Sequence, residues 1–373
     1  MKLPRFKLEE YFAATEFVAR YNLAASDAET HSLAELLELA DPEARALWDD
    51  LSLSYTESAG HPLLRAEIAT LYDGLSAEDI LVFSGAEEAI FAFMSQAADA
   101  NAHFVVAWPS YQSLFEIARS AGAAVSLLSL AEDEGWRLDL GRVRAALRPN
   151  TKAIVINFPH NPTGAQLPAA DLAALAAMAS EHGCYLFSDE VYRFAEFADG
   201  DRLPPAVTLD PRCVSLGVMS KALGLPGLRI GWIASTDRPL LQQLRSMRDY
   251  LTICSSAPSE ILALIALRAR SKILTRNREI AARNLTQLDA FFTRWEPRLR
   301  WVRPRAGVVA FPRFLAPLDA EAAARALMER FGVLIVPGSI FEHDRQHFRL
   351  GFGRRNLPAG LERFDAFLQQ PFP

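Results

Sequence analysis

Cysteine is scarce in this chain, and long apolar runs are missing. The three cysteines, Cys184, Cys213 and Cys254, are odd in number, far apart and without Cys-x-x-Cys spacing, which predicts neither a disulfide framework nor a zinc site. No run approaches the about 18 uncharged apolar residues of a membrane-spanning helix, and the N-terminus turns acidic at Glu9 before an apolar signal sequence forms. We therefore expect a cytoplasmic protein with reduced thiols and no membrane span.

Blocks of like charge and the common nucleotide-binding motifs are also missing. The formal net charge is -6 and the Lys and Arg residues are scattered, so nucleic acid is not an expected partner. Neither Gly-x-Gly-x-x-Gly nor Gly-x-x-x-x-Gly-Lys-Ser/Thr occurs, which disfavours a nicotinamide oxidoreductase and a P-loop enzyme. His343 and His347 have the spacing of two imidazoles on one helical face, but no Glu follows His343 and Pro337-Gly338 predicts a loop nearby. We therefore expect no metal ion.

Apolar residues, in contrast, are abundant and make up 50% of the chain. A chain of 373 residues exceeds the about 250–300 residues of a usual single core, so one large and one smaller domain are expected. Seven short apolar runs alternate with helical patterns such as Leu167 to His182, which is typical of an α/β architecture. The strands are predicted at Ile80 to Ser84, His103 to Trp108, Ala124 to Leu130, Ala153 to Phe158, Tyr185 to Asp189, Val214 to Ser220 and Ile230 to Ser235.

The pattern changes after about Ser255, where one long helical stretch runs to roughly Phe292 and shorter strands follow it. The change predicts a large α/β domain over residues 41–255 and a smaller α+β domain over residues 256–373. Residues 1–40 are expected to form an N-terminal segment that packs on the small domain. The strands of the small domain are predicted around Gly307 to Phe311, Val333 to Val336 and Phe348 to Phe352.

Polar residues follow or interrupt the predicted strands in four places, and ligands of open α/β sheets gather beyond the carboxyl ends of strands. Each place has an ordinary alternative when it is taken singly. A lysine such as Lys221 is often a snorkelling or ion-paired residue, Asp189 is a possible helix cap, and Asn161 to Gly164 has the composition of a plain turn. The four places are Ser84-Gly85-Ala86, Asn157 to Gly164, Ser188 to Tyr192, and Ser220-Lys221.

The joint order of these residues resembles that of the class I and II aminotransferases, which are pyridoxal 5'-phosphate (PLP) enzymes of fold type I. Further matches are Ser220 to Gly231, with its Ser-Lys-x7-Arg-x-Gly spacing, Phe348 to Phe352, and Tyr55 to Arg65. The resemblance covers most of the chain. It implies PLP as the cofactor, a large domain with a mostly parallel seven-stranded sheet between helices, a smaller α+β C-terminal domain, and a homodimer with shared active sites.

The resemblance also implies a role for each matched residue around the cofactor ring. Lys221 would form a Schiff base with the cofactor aldehyde and then carry protons, as a primary amine can. Asp189 would pair with the pyridine nitrogen. Tyr192 would place its phenol beside the 3-oxygen, where Asn161 would donate a second hydrogen bond and also contact the substrate. Tyr111 would stack on the ring, although an aromatic at this position is equally an ordinary core residue.

The cofactor phosphate needs dense hydrogen-bond donors and positive charge. Gly85 and Ala86 lie between a strand end and a predicted helix near Glu87, where free N–H groups and the helix dipole favour an anion. Ala86 replaces the hydroxyl residue that is usual in the family, which leaves that contact to backbone donors. The phosphate set implied by the resemblance is Ser84, Gly85, Ala86, Ser220, Arg229 and Tyr55, the last of which reaches the phosphate of the neighbouring subunit in the family.

Arg349 matches the arginine that binds the substrate α-carboxylate in the family, a role suited to its two-pronged guanidinium. Its alternative as a surface ion pair is disfavoured by its position between two apolar residues of a strand. Aspartate aminotransferases place an arginine of the partner subunit on a second carboxylate, and the match here, aligned on Ala257-Pro258, is Leu251. The substitution argues against a dicarboxylate substrate, although Arg248 and Tyr250 are close in sequence.

The leading hypothesis from the sequence is a transaminase that moves an amino group between an amino acid and a 2-oxo acid through a pyridoxamine intermediate. The same residues serve a lyase, a decarboxylase or a cyclising enzyme, as in the capreomycidine synthase-like branch of the superfamily, and the core motifs do not separate these reactions. A third hypothesis is a non-catalytic, PLP-binding regulatory module. It is disfavoured because no basic helix-turn-helix extension precedes the matched region.

Overall fold

A computed structural model describes residues 2–315 and 318–370 of the chain. Strands and helices alternate through the first two thirds, as the sequence predicts for an α/β protein. The strands are β1 (Tyr21–Asn22), β2 (Ile80–Phe83), β3 (His103–Trp108), β4 (Ala124–Ser129), β5 (Thr151–Asn157), β6 (Tyr185–Asp189), β7 (Cys213–Val218), β8 (Gly231–Ala234), β9 (Leu299–Arg300), β10 (Val309–Ala310), β11 (Arg313–Phe314), β12 (Val333–Leu334), β13 (Val336–Pro337) and β14 (Phe348–Gly351). The helices are α1 (Lys7–Thr15), α2 (Leu33–Leu37), α3 (Pro42–Asp49), α4 (Pro62–Ala69), α5 (Ala86–Ala97), α6 (Ser113–Ser120), α7 (Leu140–Ala146), α8 (Ala169–His182), α9 (Arg238–Arg248), α10 (Ala257–Arg268), α11 (Arg270–Arg294), α12 (Ala320–Phe331) and α13 (Leu357–Leu368).

The central sheet has seven strands in the spatial order β2-β8-β7-β6-β5-β3-β4. Strands β3 to β7 run parallel, whereas β8 is antiparallel to both β2 and β7. Both faces are covered, because side chains alternate along each strand: Phe104 and Val106 pack with residues of α5 and α6, while Val105 and Ala107 join the cluster of α7 and α8. The predicted, mostly parallel seven-stranded sheet is confirmed, and every predicted strand overlaps an observed one.

The parallel strands bring their carboxyl ends to one edge of the sheet. Asn157 at the end of β5 pairs with Asp189 at the end of β6, and Asp189 pairs in turn with Leu216 near the end of β7. Because β2 is antiparallel to β8, which is antiparallel to β7, β2 also ends at this edge, directly before Ser84. The four polar places of the sequence therefore share one edge of the sheet, which is where α/β sheets bind ligands. Of the helices within residues 2–315 and 318–370, none is long and apolar enough to cross a membrane.

Residues 24–29, which we call the strap, lie in a groove lined by glycines. The backbone before the strap pairs with the C-terminal part of the chain, since β1 is parallel to β12 and Gly351 donates an N–H to the carbonyl of Leu23 at 2.7 Å. A Cβ atom at Gly351 would overlap the carbonyl oxygen of Ala25, and one at Gly353 would overlap that of Asp27. Glycine is required at these positions because the two backbones are in direct contact.

The domain boundaries at residues 40 and 255 stay a prediction. Helix α10, which follows the second boundary, packs against α2, α3 and α4, and the long α11 contacts α13 near the C-terminus. Residues 1, 316–317 and 371–373, which fall within the predicted N-terminal segment and small domain, lie outside the described residues.

Substituting Gly351 with alanine is expected to lower the free energy of unfolding by about 2 kcal/mol or more, because the strap has to move to relieve the overlap with Ala25. Gly227→Ala is the matched control, since no atom lies within 4 Å of the Cβ position there. Denaturant unfolding of both variants measures the difference. A Gly351→Ala protein as stable as the Gly227→Ala protein would contradict the close fit of the strap.

Candidate active site

Lys221 lies at the carboxyl edge of the sheet, shortly after β7 ends, and its amine contacts the strap. The Nζ atom donates a hydrogen bond to Ser26 Oγ at 2.9 Å and lies 6.0 Å from the centre of the Tyr192 ring. The dense packing around Nζ removes it from water and lowers its pKa, while the nearby Asp27 raises that pKa and Arg349 lowers it further. A lowered pKa makes the amine a better nucleophile and base near neutral pH.

Asp189, the last residue of β6, presents a carboxylate to the same edge. The residue is 4% exposed, and its Oδ1 accepts the backbone N–H of Val191 at 3.1 Å. Burial raises its pKa from the ordinary 3.8 to about 7, against the opposing effects of the Val191 N–H and the charge of Lys221. The ionised form of a carboxyl in this setting is stabilised by a cationic neighbour, because their attraction offsets the cost of removing the charge from water.

Tyr192 and Asn161 both lie at the edge, where each makes hydrogen bonds to other residues of the chain. The Tyr192 hydroxyl donates to the carbonyl of Ser26 at 2.8 Å, and burial raises the Tyr192 pKa. The Asn161 Oδ1 atom accepts a hydrogen bond from Arg349 at 3.1 Å, and the Asn161 backbone N–H donates to Asn157 at 2.8 Å. The strap thus holds the Tyr192 side chain, and Arg349 contacts that of Asn161.

Arg349 is fully buried in β14, and its guanidinium faces the edge of the sheet. Besides the contact with Asn161, its Nη2 donates to the carbonyl of Ala24 at 2.9 Å. The rings of Phe12 and Phe341 lie 5.8 and 5.3 Å from the guanidinium carbon. Its Nε is buried and has no hydrogen-bond partner among the described residues. An arginine with a spare buried donor is suited to bind a carboxylate.

The turn before α5 forms a pocket of donors beside a guanidinium. Gly85 has a φ of 96°, and a Cβ atom there would lie 2.7 Å from Nη2 of Arg229. A Cβ atom at Gly231 would likewise lie 2.7 Å from the backbone nitrogen of Ala86, the first residue of α5. The free N–H groups of the first helical turn and the Arg229 side chain therefore lie together, an arrangement that favours a phosphate group.

The remaining predicted residues differ in how they relate to this pocket. Ser220 is buried next to Lys221, and the Ser84 hydroxyl donates to Thr252 Oγ1 at 3.4 Å. The Tyr111 hydroxyl, after the end of β3, donates to Glu9 of α1 at 3.0 Å. Tyr55 is 85% exposed and is the predicted site residue that this single chain does not enclose.

Three residues of the site were missed by sequence reasoning. Ser26 contacts both Lys221 and Tyr192, and Glu9 contacts Tyr111. Glu87 in the first turn of α5 accepts a hydrogen bond from Ser113 at 2.9 Å, and burial raises its pKa to about 7. Ser26 and Glu9 belong to no motif. For Glu87 the sequence has one signal, which is its place in the acidic first turn of a helix that follows Gly85.

Arg248, which is close in sequence to Leu251, makes its hydrogen bonds within its own chain. Its side chain is fully buried, and its guanidinium donates to Ser255 Oγ at 2.7 Å and to the carbonyl of Ser58. A carboxylate oxygen of Glu88 lies 3.9 Å from its Nε. Arg248 is therefore not a free cation for a second substrate carboxylate.

His343, Asp344 and His347 lie together in a loop, so the predicted loop is observed. Their possible ligand atoms are all within 4.8 Å of one another, and Nδ1 of His347 lies 2.8 Å from Asp344 Oδ2. The His343 ring stacks on Trp108 with 5.1 Å between ring centres. The histidines are thus part of an aromatic cluster with a carboxylate, and the expectation that no metal binds here stays a prediction.

Comparisons with known proteins show the family of the chain. The profile of the family "Aminotransferase class I and II" matches residues 21–363. The chain is 32% identical to capreomycidine synthase of Streptomyces vinaceus (96% of this chain, 92% of that protein), 31% to an aspartate/prephenate aminotransferase of Thermus thermophilus (83% and 82%) and 29% to an arginine–pyruvate transaminase of Pseudomonas aeruginosa (91% and 93%).

Solved structures are equally similar. A PLP-dependent aminotransferase from Streptococcus suis superposes with a TM-score of 0.93 at 34% identity over all of both chains. The PLP-dependent cyclase OrfR superposes with a TM-score of 0.89 at 30% identity over 99% of this chain and 98% of that one. The chain therefore belongs to the class I and II aminotransferase family, whose members use pyridoxal 5'-phosphate.

Proposed function

We propose that the protein is an aminotransferase that moves an amino group between an α-amino acid and a 2-oxo acid, with PLP attached covalently to Lys221. The observation that carries the proposal is that the Lys221 amine, which donates to Ser26, and the buried carboxylate of Asp189 lie at the same carboxyl edge of the sheet, after β7 and at the end of β6. Asp27 is bound by Arg354 at 2.6 Å and is not free to neutralise Lys221 fully.

The residues present fit the cofactor group by group. Arg229 and the first turn of α5 provide donors for the phosphate, and Asp189 provides an anion for a protonated ring nitrogen. Asn161 would provide its Nδ2 donor for the 3-oxygen while its Oδ1 stays on Arg349, and Tyr192 would provide its hydroxyl. When bound, PLP supplies an electron-withdrawing ring that stabilises negative charge on the substrate α-carbon.

Lys221 is also the proposed base. Its Nζ would move the proton at the substrate α-carbon, and a lowered pKa increases the fraction of amine that is unprotonated and able to do so. Ser26 Oγ, 2.9 Å from Nζ, orients the amine, and the strap that carries Ser26 also holds the Tyr192 hydroxyl. The strap thereby couples the base to the rest of the site.

Arg349 is the proposed binding residue for the substrate α-carboxylate, and Asn161 keeps the guanidinium in place. A dicarboxylate substrate is disfavoured on two grounds. Leu251 is the match, aligned on Ala257-Pro258, to the arginine of aspartate aminotransferases, and the neighbouring Arg248 is bound to Ser58 and Ser255. An amino acid without a second carboxylate is therefore the proposed amino donor.

A homodimer with shared sites is part of the proposal. Support comes from a patch of large apolar side chains that one chain leaves exposed on two neighbouring segments, joined by a hydrogen bond from Thr56 to the carbonyl of Ser255 at 3.4 Å. Tyr55 lies in this patch and is therefore available to a neighbouring subunit. The patch consists of Leu53, Tyr55, Tyr250, Leu251 and Ile253.

A cyclising enzyme is the second candidate. It is favoured by the similarity to capreomycidine synthase over nearly the whole chain and to the cyclase OrfR. Removal of the α-proton by Lys221 is common to both reactions, so the two candidates differ in what happens to the substrate afterwards.

A panel of α-amino acids added to the PLP-loaded protein separates the candidates. An aminotransferase converts the cofactor to its amino form, which absorbs at shorter wavelength, and pyruvate or another 2-oxo acid then restores the original absorbance. Product analysis by mass spectrometry is the companion measurement. Release of ammonia or formation of a cyclic product, with no accumulation of the amino form for any amino acid, would contradict the aminotransferase.

A further inference from the structure

Helix α1 packs beside Arg349 and Tyr111 and brings an acidic side chain, Glu9, to these residues. The Phe12 ring lies beside the Arg349 guanidinium, the Phe6 ring lies 5.1 Å from that of Tyr111, and the Tyr11 hydroxyl donates to the carbonyl of Ile335 at 2.7 Å. These contacts fix the helix. Its Glu9 carboxylate accepts the Tyr111 hydroxyl at 3.0 Å and is open to solvent.

Glu9 lies close enough to the reacting residues to act on them electrostatically. Its negative charge raises the pKa of both Arg349 and Lys221, although burial lowers both values overall, and it also raises that of Glu87. The geometry agrees, because Glu9 is held by Tyr111 at 3.0 Å and lies on the same helix as Phe12, whose ring is 5.8 Å from the Arg349 guanidinium carbon. Glu9 is therefore placed to contact substrate.

Arg349, Asp189 and Asp27 each have an opposite charge beside them when substrate is bound, whereas Glu9 has none. Under the proposed function, Arg349 is neutralised by the α-carboxylate and Asp189 by the ring nitrogen, while Asp27 already has its ion pair with Arg354 at 2.6 Å. The partner of Glu9 is a neutral phenol, which donates one hydrogen bond and carries no charge. A cation in the substrate side chain would supply the missing positive charge.

We propose that Glu9 is a specificity residue that selects an α-amino acid with a cationic side chain, a guanidinium or an ammonium group. The inference rests on the proposed function, because it places the α-carboxylate on Arg349. A carboxylate also disfavours acidic side chains through repulsion, in agreement with the commitment of Arg248 to Ser58 and Ser255.

The test compares two amino acids of nearly equal shape, L-arginine and L-citrulline, which differ in the charge at the end of the side chain. Binding to the PLP-loaded protein is measured by titration of the cofactor absorbance, and initial rates are measured in parallel. Arginine is expected to bind at least about tenfold more tightly than citrulline, and Glu9→Gln is expected to reduce this ratio to about threefold or less. Added salt is expected to weaken arginine binding in the unmodified protein, since the Glu9 carboxylate is open to solvent.

Glu10→Gln is the matched control. Glu10 is the next residue of α1 and is exposed, and its Oε1 lies 3.5 Å from Arg5 Nε. Removal of its charge is expected to leave the ratio of arginine to citrulline binding unchanged. Equal binding of arginine and citrulline, or a ratio that Glu9→Gln does not change, would overturn the role of Glu9. If no amino acid in the panel changes the absorbance of the cofactor, the proposed function itself fails, which is a distinct result.

Discussion

The rate of amino-group transfer by the Lys221→Ala protein is expected to fall at least about 10³-fold, because one substitution removes both the covalent attachment point and the base. The cofactor then binds only through its phosphate, ring and nitrogen contacts. Its absorbance is expected to be that of the free aldehyde, and dialysis is expected to remove it faster than from the unmodified protein. Steady-state kinetics with the best amino acid of the panel and absorbance spectra during dialysis measure the two effects.

Lys152→Ala provides the comparison, because Lys152 is an exposed lysine of β5 whose loss leaves the carboxyl edge of the sheet intact. Both variants are expected to be folded, since Lys221 is a lysine whose burial disfavours its own charge. A Lys221→Ala protein that keeps more than a tenth of the activity of Lys152→Ala would refute the assignment of the base and attachment point.

Asp189→Asn is expected to reduce amine exchange by roughly 10²-fold or more, because a neutral amide no longer holds the positive charge on the ring nitrogen. The substitution preserves the size of the side chain. Single-turnover rates at saturating PLP separate this effect from weaker cofactor binding. Asp133→Asn, at an exposed aspartate outside the proposed site, is the control.

Asp189→Asn is expected to stabilise the cofactor-free protein relative to the unmodified protein as pH rises. The folded pKa of Asp189 is about 7 and its ordinary value is 3.8, so the folded chain keeps a proton that the unfolded chain releases between these values. Stability therefore falls as pH rises from about 4 to about 7. The amide introduced by Asp189→Asn cannot ionise, so the melting temperature of this variant relative to the unmodified protein is expected to increase across this window and to level off above it.

Thermal unfolding of the two cofactor-free proteins at pH 4.5, 6 and 8 measures this trend. Glu260 also has a raised pKa, but it contributes equally to both proteins and cancels in the difference. The charge of Asp189 itself raises the pKa of Glu87, so part of the trend passes through Glu87. A difference in melting temperature that is constant with pH would contradict the raised pKa of Asp189 in the folded protein.

The sheet could be predicted from the sequence because its strands are short, consecutive apolar runs between helical patterns. The long helical stretch from about Ser255 to Phe292 is wrong in one respect, since α10 and α11 are separated at Ala269. Helix α10 is buried along eight consecutive residues, whereas α11 buries one side only, and periodicity does not register a one-residue break between two such helices.

The strand-end residues of the candidate site could likewise be predicted, because each is part of a local motif at the end of a strand. The contacts of the strap and of helix α1 could not be predicted. Ser26 meets Lys221 across 195 positions and Glu9 meets Tyr111 across 102, and these contacts depend on how the first 30 residues lie over the rest of the chain. Sequence patterns report neighbours along a helix or strand and do not report such distant pairings.

Borohydride reduction followed by peptide mapping tests the central claim most directly. The PLP-loaded protein is reduced, digested and examined by mass spectrometry for a peptide that carries the cofactor. We expect one modified lysine, Lys221, in the peptide that spans Ser220 to Arg229. Cofactor fixed to another lysine, or a protein that retains PLP yet yields no modified peptide, would contradict the account.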